Sequence, residues 1–123
     1  MKYVILISHN AQARETWASF TEAERAAGYR AHTDLLDSIA EAGELVIAEA
    51  LADPSQGRRL QPRDGQLAAV DGPFPEVKEH LAGFYLVDTD SIEDALAYAA
   101  KIPEAAYGLV EVRPVLRGGS EDM

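Results

Sequence analysis

The chain contains no cysteine, which excludes disulfide frameworks, thiolate metal sites and thiol nucleophiles together. Positive charge is scarce: 11 Lys and Arg stand against 21 Asp and Glu, a formal net charge of −10. Nucleic-acid backbones and anionic membrane surfaces require a basic face, so neither is expected as a partner. The basic cluster at Arg58, Arg59 and Arg63 is too small to line a groove. No apolar run is long enough to span a bilayer. His9 and Asn10 cut off the opening YVILI run before the order of a signal peptide can develop, so the cytoplasm is the expected location. There is no G-x-G-x-x-G, no phosphate loop and no G-x-S-x-G elbow, and no cofactor is expected. No HxH, HxxxH or HxxE spacing occurs, and no metal site is expected.

What is present reads as one globular domain: 123 residues, 47% hydrophobic and 26% charged. YVILI (3–7) lacks alternation, as does FYLV (84–87), which suits strands buried on both faces. Residues 12–20 suit a helix. Thr21-Glu22-Ala23-Glu24 is a capping-box pattern that starts another, running to Ala42 with Tyr29, His32, Leu36 and Ile39 along one stripe. Trp17 and Tyr29 read as core, and Gly43 suits a left-handed cap. Leu45–Leu51 is the next strand. Segments 58–62 and 66–70 form a hairpin around Asp64-Gly65. A helix over 92–102 turns Ala95, Leu96, Ala99 and Ile102 inward, Pro103 ends it, and 109–112 is the last strand.

The order β-α-β-β-β-α-β with one tight hairpin predicts an α+β fold. Its core is a ferredoxin-like antiparallel sheet with an extra hairpin strand and two main helices on one face. Since two strands are apolar on both sides, the other face must also be covered. In a chain this short a second copy is the expected cover, giving a homodimer with sheets face to face. The domain spans 1–116, and residues 117–123 form a flexible tail.

One stretch is unusual, VDGPFPEVKEHLAGFYLVD (70–88). The Asp71 carboxylate can accept turn N–H groups. Gly72 can take an unusual φ, and Pro73 restricts both itself and Gly72. Pro75 suits the first position of a short helical turn, which would place Glu76 and His80 within pairing reach. Gly83 allows a tight turn into the FYLV strand.

This stretch resembles the signature of the DGPF branch of the YCII-related proteins, approximately D-G-P-F-x-E-x-K-E-x-L-x-G-F/Y. Asp71, Gly72, Pro73, Phe74, Glu76, Lys78, Glu79, Leu81, Gly83 and Phe84 match it. Ala82 departs, standing where a second glycine is common. The likeness extends to the KYVILI start, the GYRAHTDLLDSIAEAGELV helix and the AAYGLVEVRPV ending, and so covers roughly 2–116. It implies a ferredoxin-like fold that pairs into a dimeric α+β barrel. Some proteins of this kind are encoded beside extracytoplasmic-function sigma factors, and a few relatives act on small cyclic or halogenated compounds. The wider group carries a helix histidine paired with an aspartate, proposed as a catalytic dyad, and His32 sits eleven residues before Gly43 much as that histidine does.

His32 and Asp71 are therefore the candidate catalytic pair, an imidazole proton carrier oriented by a carboxylate. The alternative is a His32 that hydrogen-bonds a neighbouring strand at the edge of the helix stripe. His9, at the end of the first strand, faces either a pocket or water. Glu49 interrupts the apolar LVIAEAL segment and marks either a solvent-facing edge or a pocket. Phe74 either lines a ligand site or packs as an anchor. Lys78 and Glu79 either bind a polar ligand beside a dimer cleft or form an ion pair that pins the loop. The expected function is binding of a small organic molecule near the Asp71 loop, with cofactor-free acid–base chemistry if the protein is an enzyme. The alternative is a non-catalytic ligand-binding or regulatory protein linked to a sigma factor.

Overall fold

The computed structural model describes residues 1–74 and 77–117. The elements run β1 (Lys2–Asn10), α1 (Ala11–Ser19), α2 (Glu22–Glu41), β2 (Leu45–Ala50), β3 (Arg58–Arg63), β4 (Gln66–Asp71), β5 (Glu79–Asp88), α3 (Ile92–Ala99) and β6 (Val110–Pro114), with short 3-10 turns at Pro54–Gln56 and Pro103–Tyr107. Four strands form one sheet in the order β2-β5-β1-β6, antiparallel throughout. The two central strands are the YVILI and FYLV segments. β1 connects through helices to β2, and β5 through α3 to β6, so each connection steps over one central strand, the ferredoxin-like arrangement. Among the described residues no helix is long and apolar enough to cross a membrane.

Both helical connections lie on the face carrying Tyr3, Ile5, Ile7, Tyr85 and Val87, and the core forms there with Leu35, Ile39, Ala95, Ala99 and Ile102. Ile5, Ile39, Val87 and Ile102 are fully buried. Each contributes roughly 1.5–3 kcal/mol by leaving water. Helix α2 starts where the capping box is written: Thr21 Oγ1 accepts from the Glu24 N–H, and the Glu24 carboxylate accepts from the Thr21 N–H. It stops at Gly43, whose φ of 74° lets the Glu44 N–H turn back to the Ile39 carbonyl. Ala11 rather than residue 12 begins α1, because the Asn10 side chain caps it.

The structure departs from the sequence reading in further places. The hairpin β3–β4 turns at Asp64-Gly65 as expected, both with positive φ, but it forms a separate two-stranded sheet and adds no strand to the main one. β5 begins at Glu79, ahead of the FYLV run, because β1 itself continues to Asn10 and pairs with it. α3 ends at Ala99, and its inward stripe is Ile92, Ala95 and Ala99, leaving Leu96 exposed. Tyr29 is exposed as well; it meets Trp17 edge-on at 5.2 Å in a small aromatic cluster between α1 and α2. Gly28 makes room for that indole, since a Cβ there would lie 3.0 Å from it. Finally, Gly72 has no positive φ. Its need is space: a Cβ would sit 2.3 Å from the Pro54 carbonyl, because the Gly72 N–H reaches the Gly57 carbonyl at 2.8 Å.

The opposite face of the main sheet carries Val4, Leu6, Phe84, Leu86 and Ile47, with Glu49 across from Phe84 and Glu111 and Arg113 on β6. In the single chain these apolar side chains are only half-buried or exposed.

Candidate functional site

The helix-side core ends in a polar cluster built from four separate segments. α2 presents His32 one turn before Leu35, on the stripe that faces the sheet. β5 presents Tyr85, opposite Ile5 of β1, with its ring buried. The Tyr85 hydroxyl meets His32 Nδ1, and the two rings stand edge to face at 89°. The other imidazole nitrogen, Nε2, lies 2.9 Å from Oε1 of Glu104. Glu104 is placed by the 3-10 turn that follows α3, which opens at Pro103 and from which Gly108, at a φ of 72°, releases the chain into β6. Its second oxygen, Oε2, lies 3.7 Å from Nε2 of His9 at the end of β1.

The protonation states follow from these contacts. Burial pushes the Glu104 carboxyl up, but the hydrogen bond from His32 and the nearby His9 imidazole outweigh it and hold it at about 2. Burial, reinforced by the Glu104 charge, pushes the Tyr85 phenol up to about 12. At neutral pH Glu104 is thus a carboxylate that can only accept, and Tyr85 a phenol that keeps its proton. A neutral His32 therefore carries its hydrogen on Nε2, donates it to Glu104, and accepts the Tyr85 O–H at Nδ1. The result is a phenol–imidazole–carboxylate chain, with the more exposed His9 at the outer oxygen. Among the described residues no three His, Asp or Glu side chains converge as metal ligands; the two imidazoles address different oxygens of one carboxylate.

The structure places the expected site residues in four settings. His32 and His9 are in the cluster. Asp71 is not: its carboxylate takes Arg58 Nε at 3.0 Å across the hairpin, both side chains exposed, while both nitrogens of His32 are occupied by other partners. A His32–Asp71 dyad therefore does not form within the chain. The bond from His32 to β5 is the one the alternative reading anticipated, with Glu104 added. Phe74 lines an open cleft of ≈ 430 Å3 with Leu51, Pro54, His80 and Leu81, and the Arg59 guanidinium sits 3.8 Å over its ring. Lys78 lines a neighbouring cleft of ≈ 470 Å3 with Asn10, Arg14 and His80. Glu49 is exposed on the uncovered sheet face, and Glu79 is exposed at the first position of β5. The expected helical turn from Pro75 and the Glu76–His80 pairing fall on residues 75 and 76, outside the described residues, as does the tail from 118 onward. The cluster residues line neither cleft, yet His9 and His80 are register partners across β1 and β5, so clefts and cluster meet at the same end of the sheet.

Sequence reasoning missed Tyr85 and Glu104. Tyr85 had a signal, since a buried tyrosine needs a partner for its hydroxyl and His32 is a polar residue on the opposing helix stripe. Glu104 had none beyond following Pro103, because only the fold brings residue 104 to residue 32.

Comparison with known proteins places this geometry in context. The model of the YCII-related domain matches residues 1–118. An uncharacterized protein of Rhizobium meliloti (strain 1021) is 32% identical over 117 residues, covering 94% of this chain and 92% of that one. Among solved structures, 5-chloro-2-hydroxyhydroquinone dehydrochlorinase from Burkholderia phenoliruptrix AC1100, in complex with 2,5-dihydroxybenzoquinone, superposes with a TM-score of 0.52 over 96% of each chain at 13% identity. At that identity the likeness concerns the fold.

Proposed function

The chain belongs to the YCII-related domain family, and from that premise we propose that it is a cytoplasmic homodimer that binds a small organic molecule and moves a proton on it without a cofactor. The observation that carries this reading is the suspension of His32 between the Tyr85 hydroxyl and the Glu104 carboxylate. Glu104 takes the orienting role that the sequence reading gave to Asp71. A carboxylate on Nε2 stabilises the imidazolium that forms when Nδ1 takes a proton, so His32 is the proton carrier. A substrate reaches Nδ1 by displacing the Tyr85 hydroxyl, or exchanges its proton through that hydroxyl. His9, on the outer oxygen of Glu104, connects the chain to solvent. The clefts beside Phe74 and Lys78 supply the adjoining ligand surface.

Dimerisation is favoured by the uncovered sheet face. Val4, Leu6, Phe84, Leu86 and Ile47 form a contiguous apolar surface. At roughly 25 cal/mol per Å2, leaving several hundred Å2 of such surface in water costs on the order of 10 kcal/mol. A second copy packed sheet to sheet removes it.

The solved relative of this fold holds a dihydroxyquinone, which makes hydroxylated six-membered rings the first probes. In a panel that includes 2,5-dihydroxybenzoquinone, followed by imidazole NMR, a binding member should move the ring signals of His32 and His9, and His32→Gln should weaken its binding at least several-fold. A panel in which no member binds, or binding that leaves both imidazole signals in place, contradicts the reading.

A further inference from the structure

Positive charge, scarce in the sequence, gathers at the end of the sheet where β1 stops and β5 begins. In the whole chain 21 acidic side chains outnumber 11 Lys and Arg. Among the described residues, the lining of the two clefts reverses that ratio: Arg14, Arg58, Arg59 and Lys78 stand against Asp53 alone, with His80 common to both. The cleft beside the start of α1, ≈ 470 Å3, is lined by Arg14, Lys78 and His80 and by no acidic side chain among the described residues. Glu79, between Lys78 and His80 in sequence, alternates to the other side of β5 and lines neither cleft. Arg14 Nη2 lies 3.1 Å from Asp53 Oδ1, and Oδ2 of that carboxylate accepts the Ser55 N–H at 2.9 Å, so Asp53 is already satisfied. Arg58 is engaged by Asp71. Lys78 and His80 form no hydrogen bond or ion pair among the described residues. His80 is nonetheless fixed in place: it is half-buried and pairs in register with His9, and cross-strand partners share one face of a sheet.

We propose that this cleft holds the carboxylate of an organic acid whose apolar ring lies in the neighbouring cleft, so that the molecule bound at this end of the sheet is an anion. The inference deepens the function proposed above and rests on it, since the two concern one ligand. The local field is the first reason. A protein with a net charge of −10 repels anions over most of its surface, and a concave patch whose charged lining is cationic concentrates them in one place. The donors are the second. Among the described residues, a Lys ammonium and an imidazole without partners stand beside an arginine, and these are the groups that make charge-assisted hydrogen bonds to carboxylate oxygens. The division of the lining is the third. Leu51, Pro54, Phe74 and Leu81 make the other cleft, ≈ 430 Å3, the apolar one, whereas this cleft has only Ala11 and Val77 as apolar side chains among the described residues. Each volume is that of a small-molecule site. His80 lies in the lining of both, so one ligand bridges them with its acid on one side and its ring on the other.

Isothermal titration calorimetry of the full chain with 2,5-dihydroxybenzoate and with the uncharged 2,5-dihydroxybenzamide, together with side-chain NMR of Lys78 and the histidines, tests the site. Hydrogen bonds between charged groups predict that the acid binds at least roughly tenfold more tightly than the amide. Lys78→Met should weaken the acid at least roughly threefold and leave the amide as it is. Its circular dichroism should remain that of the folded chain, because Lys78 is exposed. Lys2→Met is the control for net charge. It loses the same charge at the other end of the nine-residue strand β1, roughly 26 Å away at ~3.3 Å per residue, and should bind the acid as the wild type does. Acid and amide bound equally, or an acid affinity that is unchanged in Lys78→Met or falls as much in Lys2→Met, overturns the anion site; the proposed function still stands if the His32 signals move. An acid that shifts the Lys78 and His80 signals but neither His32 nor His9 supports the anion site and contradicts the proton-transfer reading. An acid that does not bind at millimolar concentration overturns the anion site, and the 2,5-dihydroxybenzoquinone titration above then decides the proposed function on its own.

Discussion

At the scale of single residues, Glu104 sets the protonation pattern of the polar cluster. Its carboxyl is held at about 2, below its ordinary 4.5, so the folded state binds this proton less tightly than the unfolded chain does. The resulting stabilisation is complete above pH 4.5 and is lost as pH falls from there toward 2. It amounts to at most about 3 kcal/mol. Glu104→Gln keeps the side-chain shape without the charge. The acid titration of stability, followed by urea unfolding at each pH, should therefore be shallower between pH 4.5 and 2 in this variant than in the wild type; an equal slope contradicts the assignment. His32 was legible from its place on a helix stripe and from the family likeness. Its partners were less so, because hydrogen bonds spanning 53 and 72 residues leave no trace in local spacing. Asp71 shows the converse error: a residue that attracts attention by its motif is paired, in the fold, with its own cross-strand neighbour Arg58.

Local signals located the elements well wherever caps and turns set the boundaries. The Thr21–Glu24 box, Gly43 and the Asp64-Gly65 turn all act where they are written. Signals that need a neighbour were misread. Nothing in residues 79–83 announces a strand, but the extension of β1 to Asn10 supplies its partner. Gly72 and Gly83 have a common reason that no turn rule supplies: a Cβ would meet the Pro54 carbonyl at 2.3 Å in one case and the Glu49 carbonyl at 2.8 Å in the other. Both obstacles are backbone, so the chain itself must move. Gly72→Ala should lower stability by roughly 1–3 kcal/mol in chemical denaturation and detach the hairpin from the turn at Pro54–Gln56, read as faster amide exchange at Gly57 and Gly72. Wild-type stability and exchange in the variant would mean that the approach is looser than this packing requires.

At the scale of the molecule, the fold sets one sheet between a covered and an uncovered face. The covered face was predictable from composition and element order. The two apolar strands also pointed to a need on the other face, which the single chain leaves unmet. The same topology delivers His9, His32, Tyr85 and Glu104 from four distant segments to one end of the core, so the proton chain exists only if the whole arrangement is right. The measurement that tests this most directly is a long-range 1H–15N correlation spectrum of the histidine side chains at pH values where His32 is neutral. The account predicts that the His32 hydrogen resides on Nε2, facing Glu104, with Nδ1 unprotonated and accepting from Tyr85. A neutral His32 protonated at Nδ1, or averaging freely between its two tautomers, would contradict it.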